Sequence, residues 1–222
     1  MTGIEKELVP TAGIYARFYR KGMLHCQGRP SLFVDRDGVL VEEVGYLSRR
    51  EDVNFIPGSI EEIRTFNDAN IPIIVATNQA GIGKGYLDWK KFEEVQEEVI
   101  TVLKKGNAFL DAVIACPYHE DGIKEYCFDN HPFRKPNPGM IIFAAEKLGI
   151  VIERSWMVGD KLSDIEAAMG AGLFGAVHVE TGHGKLQRKE VETLRKDSFE
   201  IVYARNLTEV SDFLISSMAG SL

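Results

Sequence analysis

The stretch Ser31–Gly38, SLFVDRDG, decides how the rest of the chain is interpreted. Its first half, Leu32–Val34, is a short apolar run that predicts a buried strand. Asp35 and Asp37 follow directly, separated by one residue. Two carboxylates this close repel each other unless something neutralises them. The stretch therefore predicts a strand that ends at a site needing positive charge.

Further apolar runs alternate with stretches of helical pattern along the chain. They are continuous rather than alternating in polarity, which is typical of a parallel sheet covered by helices on both faces. We therefore predict an α/β fold, a Rossmann-like three-layer sandwich with a central parallel sheet. Further strands are expected at 71–76, 112–115, 155–158 and 175–179, and helices at 59–70, from 88, at 138–148, from 163 and at 206–218.

The spacing of the polar segments leaves no room for a large cap domain. Asp37 and Thr77 are 40 residues apart, and Thr77 and Lys135 are 58 apart. Predicted loops, helices and one strand use most of both intervals. Residues 1–30 are weakly patterned and are interpreted as an N-terminal extension: a strand-like arm, a lid or a partly disordered segment. Residues 31–222 are interpreted as one domain.

Composition limits the classes of partner that the chain is expected to have. A net charge of -7 and a pI of about 5.3 argue against a general nucleic-acid binder, because phosphate backbones attract clustered Lys and Arg. The sequence contains no run of 18 apolar residues, so no membrane span is expected. The N-terminus lacks the continuous apolar core of a signal peptide. Three cysteines do not make a disulfide framework. We expect a cytoplasmic monomer or homodimer that acts on a small molecule, without nucleic acid or membrane.

Polar side chains follow the predicted strands at the points where they end. Asp35 and Asp37 follow the first strand, Thr77 ends the second, and Asp160 follows the fourth. Lys135 lies between the third and fourth strands. In open parallel sheets, ligands bind outside the carboxyl ends of the strands. We therefore expect these five side chains to meet at one edge of the sheet.

This set of side chains suits phosphoryl transfer. Mg²⁺ would neutralise the aspartate pair with Asp160 as a third ligand, because it prefers oxygen ligands and a substrate phosphate. Lys135 keeps Asp35 ionised, and an ionised aspartate can attack phosphorus to form an aspartyl-phosphate. Asp37 could protonate the leaving oxygen and later activate water. Thr77, with nearby backbone N–H groups, could hold the phosphoryl oxygens.

The motifs in this order resemble the haloacid dehalogenase (HAD) superfamily of aspartate-nucleophile phosphatases. DRDG, TNQ, RKP and GDKLSD stand where its four motifs stand. DRDGVL, VGYL, TNQAGIGKGY, RKPNPGM and MVGDKLSD are similar to the D,D-heptose 1,7-bisphosphate phosphatase and histidinol-phosphatase branch, over about residues 31–184. The resemblance implies a phosphatase whose leading substrate is D-glycero-D-manno-heptose 1,7-bisphosphate. Histidinol phosphate is the alternative substrate, and a non-hydrolytic phospho-ligand-binding protein on the same scaffold is the alternative class.

The resemblance also implies a role for individual residues. Asp35 would be the nucleophile and Asp37 the general acid and base. Thr77 and Lys135 would hold the phosphoryl group. Mg²⁺ would be bound by Asp35, Asp160 and the backbone carbonyl of Asp37. The implied substrate contacts are Asn78, Arg134 and Lys161.

The segment 116–135 carries four possible zinc ligands. The spacing C-x2-H-x7-C-x3-H, which could close a tetrahedral structural Zn²⁺ site, is formed by Cys116, His119, Cys127 and His131. The related heptose-bisphosphate phosphatases carry a zinc loop here, of the form C-P-H…C-x-C. In this chain Tyr118 stands at the place of its histidine, and no C-x-C precedes Arg134. Two interpretations stay open: a structural zinc site, or a loop packed by aromatic side chains with free cysteines.

Overall fold

A single sheet of eight strands forms the centre of the molecule within the residues described. The structure, a computed structural model, describes residues 5–9, 13–19, 25–195 and 197–220. The strands are β1 (Glu5–Val9), β2 (Ile14–Phe18), β3 (Leu32–Val34), β4 (Ile73–Asn78), β5 (Ala112–Cys116), β6 (Trp156–Gly159), β7 (Gly175–Val179) and β8 (Glu200–Ala204). The helices are α1 (Ser59–Asp68), α2 (Ala80–Gly83), α3 (Trp89–Lys105), α4 (Gly139–Leu148), α5 (Leu162–Ala171), α6 (Gly184–Val191) and α7 (Ser211–Ala219). In these ranges no helix is long and apolar enough to cross a bilayer.

The predicted parallel sheet is confirmed at the centre of the structure. The strand order is β1-β2-β5-β4-β3-β6-β7-β8, and every pair from β5 through β8 is parallel. In the middle strand, Phe33 lies opposite Ile74 on one side and Met157 on the other. The strand that carries the SLFVDRDG stretch is therefore central, so its carboxyl end delivers Asp35 and Asp37 to the middle of the edge.

The three-layer arrangement follows from the alternation of side chains along the central strand. Leu32 and Val34 belong to one apolar core with residues of α1, α3 and α7, whereas Phe33 belongs to a second core with residues of α4, α5 and α6. Successive side chains of a strand point to opposite faces. Both faces of the sheet are therefore buried, which explains why the strands read as continuous apolar runs.

The residues that cap α1 and α5 differ from those that the local sequence pattern favours. Serine favours the N-cap, but Ser59 is the first residue of α1. Its hydroxyl donates to the Leu40 carbonyl, and the N-cap is Gly58 at φ 86°. At α5 the capping carboxylate belongs to Asp164, which accepts from the backbone N–H of Lys161. The contact of Ser59 with Leu40 joins residues far apart in the sequence, so the local pattern at α1 does not reveal it.

The strands at the two ends of the sheet, β1 and β2 on one side and β8 on the other, were not among the predicted strands. β2 pairs antiparallel with β5, and β1 pairs antiparallel with β2. Of the three interpretations of the N-terminal segment, the strand-like arm is therefore the one that fits residues 5–9 and 14–18. The rest of the prediction for 1–30 lies partly outside the described residues, and the division at residue 30 stays a prediction. β8 was missed, although Ile201, Val202 and Tyr203 form a short β-favouring run.

The connections on either side of Thr77 are short, as expected. Between Asp37 and Thr77 the chain forms a loop with a 3-10 turn at Arg50–Asp52, followed by α1. Between Thr77 and Lys135 it forms α2, α3, β5 and a loop. Because neither connection holds a separate cap domain, the carboxyl edge of the sheet stays open to solvent.

Candidate active site

A cleft of about 530 Å³ opens at the carboxyl edge of the parallel strands. Asp35, Asp37 and Lys135 are among its lining residues. Thr77 and Asp160 lie beneath the surface and are 1% and 0% exposed. The cleft sits outside the ends of β3, β4 and β6, where the sequence predicted a ligand site.

Lys135 is the positive centre of the cleft floor. Its Nζ lies 2.8 Å from Asp35 Oδ1 and 2.6 Å from Asp164 Oδ1, and it donates to the Ala76 carbonyl at 2.7 Å. Lys135 and both carboxylates are buried. Burial would lower the pKa of Lys135, but the charges of Asp164 and Asp35 outweigh it and raise that pKa above its usual range. The lysine therefore stays charged, as its role as counter-ion requires.

The carboxylates of the floor differ in their ease of ionisation. Burial works against the ionised form of Asp35, but Lys135 and Lys161 outweigh it and hold its pKa below the ordinary value. Burial, with the like charges of Asp35 and Asp164, raises the pKa of Asp160 to about 7. Asp35 is thus the carboxylate held in the form that a nucleophile needs.

The carboxylates of the cleft floor can bind a cation in addition to Lys135. Asp35, Asp160 and Asp164 each place a carboxylate oxygen within 4.8 Å of the others. Asp160 Oδ1 is buried and has no hydrogen-bond partner among the described residues. The other oxygen, Asp160 Oδ2, accepts from the backbone N–H of His183 at 2.8 Å. An orphaned carboxylate oxygen among further carboxylates matches the oxygen ligands that Mg²⁺ prefers. The residues present therefore fit the expected ion.

Two glycines let the backbone close over Asp160. Gly38 has φ 90° and Gly182 has φ 57°, values that favour glycine. A Cβ at Gly38 would lie 2.5 Å from Asp160 Oδ2, and one at Gly182 would lie 2.2 Å from the same atom. The Thr181 hydroxyl donates to the Gly38 carbonyl at 2.5 Å and joins the two loops. The glycine of DRDG is therefore required by the position of a carboxylate more than a hundred residues away.

Asp37 is held by two residues that the sequence analysis did not single out. Arg36 donates from Nε to Asp37 Oδ1 at 3.0 Å and from Nη2 to Oδ2 at 2.9 Å. Gln79 Nε2 lies 2.9 Å from Asp37 Oδ2 and 3.0 Å from Thr77 Oγ1. Arg36 is 1% exposed and lies over the ring of Phe92. Arg36 belongs to the DRDG motif and Gln79 to the TNQ motif. Their positions inside these motifs were the signal by which the sequence could have identified them.

Asn78 positions Lys135, and its predicted contact with the substrate stays a prediction. Its Nδ2 donates to the Lys135 carbonyl at 2.9 Å, and its Oδ1 accepts from the Lys135 backbone N–H at 3.0 Å. The amide therefore clamps the backbone of the residue that serves as the counter-ion. Asn78 also lines the cleft, but both ends of its amide are engaged.

Comparisons with known proteins agree with this geometry. The HAD-hydrolase-like family model matches residues 132–209. A D-glycero-beta-D-manno-heptose-1,7-bisphosphate 7-phosphatase of Mesorhizobium japonicum is 42% identical over 144 residues, 65% of this chain and 66% of the relative. One of Pasteurella multocida is 37% identical over 154 residues, 69% of this chain and 83% of the relative. The chain belongs to the HAD-like hydrolase family, in its heptose-bisphosphate phosphatase branch.

A solved structure of this branch matches the fold of the HAD-like chain described here. It is a D,D-heptose 1,7-bisphosphate phosphatase from B. bronchiseptica in complex with magnesium and phosphate. The TM-score is 0.72 at 26% sequence identity, with 84% of this chain and 98% of the other covered. The resemblance read from the motifs is thereby confirmed.

The rim of the HAD-like cleft carries charged side chains above the floor. Lys161 Nζ lies 3.2 Å from Glu43 Oε2, and His183 Nε2 lies 3.5 Å from the same oxygen. Arg134 lines the cleft and donates from Nη1 to the Tyr118 carbonyl at 3.0 Å. Lys161 and Arg134, the predicted substrate contacts, therefore both line the cleft. Glu43 also lines it, and the sequence analysis did not name this residue.

The loop of this HAD-like chain does not bring the four predicted zinc ligands together. Within the described residues, no three of Cys116, His119, Cys127 and His131 have ligand atoms within 4.8 Å of one another. Cys116 is buried in β5, whereas Cys127 is exposed. Burial raises the pKa of the Cys116 thiol to about 12.

Other partners occupy the loop side chains. His131 stacks on Tyr118 with ring centroids 3.7 Å apart, and its Nδ1 accepts from the Phe133 N–H at 3.2 Å. His119 Nδ1 accepts from the Asp121 N–H at 3.0 Å, and Cys127 Sγ donates to the Glu120 carbonyl. The structure supports the aromatic packing interpretation rather than the zinc site. The spacing alone misled, because Cys116 points into the sheet core.

Proposed function

We propose that this chain is a Mg²⁺-dependent phosphatase that hydrolyses D-glycero-D-manno-heptose 1,7-bisphosphate at its 7-phosphate, through an aspartyl-phosphate on Asp35. The observation that carries the proposal is the cleft floor. There Lys135 holds the Asp35 carboxylate ionised, beside the unpartnered Oδ1 of Asp160. The names of the relatives support the substrate and the position of the phosphate.

Mg²⁺, when bound by Asp35, Asp160 and the Asp37 carbonyl, would neutralise charge that develops on the phosphoryl group. The residues of the chain do the rest of the first step. A carboxylate oxygen of Asp35 attacks phosphorus, and the bond between phosphorus and the sugar oxygen breaks. Asp37 gives its proton to that leaving oxygen, so the sugar departs as an alcohol.

The second step returns the enzyme to its starting state. Asp37, now ionised, takes a proton from a water molecule, and the water oxygen attacks phosphorus. The bond between phosphorus and Asp35 breaks, which frees phosphate and restores the carboxylate. Thr77 Oγ1 accepts from Gln79, so its own hydroxyl hydrogen is free to donate to a phosphoryl oxygen. Lys135 steadies the same oxygens by charge.

A comparison of substrates tests the proposed function directly. The chain is expected to release phosphate from heptose 1,7-bisphosphate with a kcat/KM at least about tenfold above that for histidinol phosphate, a difference of about 1.4 kcal/mol in transition-state binding. Both anomers of the bisphosphate are assayed, with phosphate release and the position of the remaining phosphate measured by NMR. A higher kcat/KM for histidinol phosphate would assign the chain to the alternative substrate. Absence of turnover on every phosphate ester, with tight binding of one, would favour a phospho-ligand-binding protein.

Removal of the metal is expected to stop turnover. Among the residues that the structure describes, Asp160 Oδ1 has no hydrogen-bond partner, and the buried Lys135 pairs with Asp35 and Asp164 but not with Asp160, so the floor needs a second cation to bind a phosphate dianion. We expect EDTA to abolish phosphate release and Mg²⁺ in excess to restore it. Phosphate release with added Zn²⁺ is compared with phosphate release with added Mg²⁺. A rate that survives chelation and dialysis would contradict the metal assignment.

A further inference from the structure

A second metal-ligand cluster lies at the opposite edge of the sheet. His25, Cys26 and Asp111 each place one ligand atom within 4.8 Å of the others. Asp111 precedes β5, and the cleft lies beyond the other end of that strand. Five residues of strand separate the two edges, about 17 Å at the rise of a β-strand. The cluster is therefore outside the catalytic site.

Asp111 is a fixed member of the cluster. Its Oδ2 accepts from the Ile73 backbone N–H at 2.8 Å, its backbone N–H donates to the Ile73 carbonyl at 2.8 Å, and its carbonyl accepts from Tyr19 N–H at 2.9 Å. These bonds hold the carboxylate with Oδ1 toward His25, whose Nε2 is 2.7 Å away. Asp111 is 3% exposed, so the carboxylate is preorganised in a nearly dry position.

The cysteine and histidine complete a set of three different donors. Cys26 Sγ lies 3.5 Å from His25 Nε2, and Cys26 is 1% exposed. The His25 side chain is 29% exposed, which gives the cluster access to solvent. The Arg29 N–H donates to the Cys26 carbonyl and Gly28 N–H to the Gly149 carbonyl, so this turn is itself anchored to the domain.

We propose that His25, Cys26 and Asp111 form a binding site for a tetrahedral transition-metal ion of the Zn²⁺ class. Bonds of the lengths that such ions make to sulfur, nitrogen and oxygen separate the donors by about 3.3 to 3.6 Å. The distance between Nε2 and Sγ already has this value, and the partly exposed imidazole needs to move from Oδ1 by less than about 1 Å. Three protein ligands leave one position for water. The ion would tie the turn at residues 25–28 to the start of β5.

Cobalt titration tests this site, because Co²⁺ takes the same ligands and a thiolate ligand gives a charge-transfer absorption in the near ultraviolet. The full chain is freed of metal, kept reduced, and titrated with Co²⁺ in excess Mg²⁺, which occupies the carboxylates of the cleft. We expect one equivalent of Co²⁺ to produce the charge-transfer band and to raise Tm. Turnover plays no part in this readout, so its result is independent of the proposed function.

Three variants locate the band. It is expected to disappear in Cys26→Ser, to weaken in His25→Gln, and to persist in Cys127→Ser, whose exposed thiol lies beside the His119–Asp121 segment. His25→Gln changes a partly exposed side chain, so it remains informative if the buried cysteine variant folds poorly. No thiolate band in the wild-type chain, or a band that follows Cys127 instead of Cys26, would overturn the proposal.

Discussion

Replacement of Asp35 with asparagine is expected to lower kcat by at least about 10⁴-fold, the scale of loss when a covalent nucleophile is removed. The amide has nearly the shape of the carboxylate but cannot attack phosphorus. Lys135 keeps its ion pair with Asp164 at 2.6 Å, and the repulsion between Asp35 and Asp160 is relieved. The variant is therefore expected to fold with a Tm close to that of the wild type. Phosphate release and thermal unfolding are measured on the same preparation.

A matched control separates loss of the nucleophile from loss of any carboxylate. Asp121→Asn makes the same chemical change in an exposed side chain that pairs with Lys84 at 3.3 Å. This variant is expected to keep wild-type turnover, because Asp121 does not line the cleft. If Asp35→Asn kept wild-type turnover as well, Asp35 would not be the nucleophile.

Replacement of Lys135 with methionine is expected to be the most destabilising change at the cleft floor. The Lys135 ammonium contacts Asp35, Asp164 and the Ala76 carbonyl, and it is 3% exposed. Removal of one partner from a buried ion pair leaves an uncompensated charge, at a cost of about 3–5 kcal/mol. We expect urea unfolding to show a loss of that size, together with loss of phosphate release. Added Mg²⁺ is expected to recover part of the stability, because it supplies positive charge to the same carboxylates.

Lys84→Met provides the comparison for the stability of Lys135→Met. Within the part of the chain that the structure describes, Lys84 makes a single ion pair, with the exposed carboxylate of Asp121. Such pairs contribute about 0–1 kcal/mol, so this variant is expected to unfold close to the wild type. Equal unfolding free energies for the two lysine variants would show that Lys135 is not the buried counter-ion described here.

The central strands and the grouping of polar side chains at their carboxyl ends were predictable because they depend on short local patterns. The run Leu32–Val34 is apolar on both faces, and parallel strands deliver the residues after them to one edge. Asp35, Thr77 and Asp160 could therefore be placed together without knowledge of any contact. The family resemblance then supplied roles that the residue types alone had only suggested.

The features that the sequence did not predict depend on contacts between distant segments. Asn78 reads as a polar residue after a strand, and only the fold reveals that it clamps Lys135. Gly38 reads as a turn glycine, yet the position of Asp160 excludes a side chain there. The spacing of Cys116 and the later histidines matched a zinc loop, but a period-two strand pointed this cysteine into the core.

The strand pairing at the two ends of the sheet was equally beyond local pattern. The residues of β2 do not predict that this strand pairs antiparallel with β5. His25 and Cys26 are adjacent in the sequence, but Asp111, the third member of their cluster, is the residue before β5. Such information resides in the topology, so it became available only with the structure.

The most direct measurement of the central claim is a crystal structure of the chain grown with Mg²⁺ and beryllium fluoride, which mimics a phosphoryl group on a carboxylate. We predict a fluoroberyllate bonded to an Asp35 oxygen, with its fluorines near Thr77 and Lys135 and the ion between Asp35 and Asp160. An adduct on another side chain, or a metal lodged away from these carboxylates, would contradict the account.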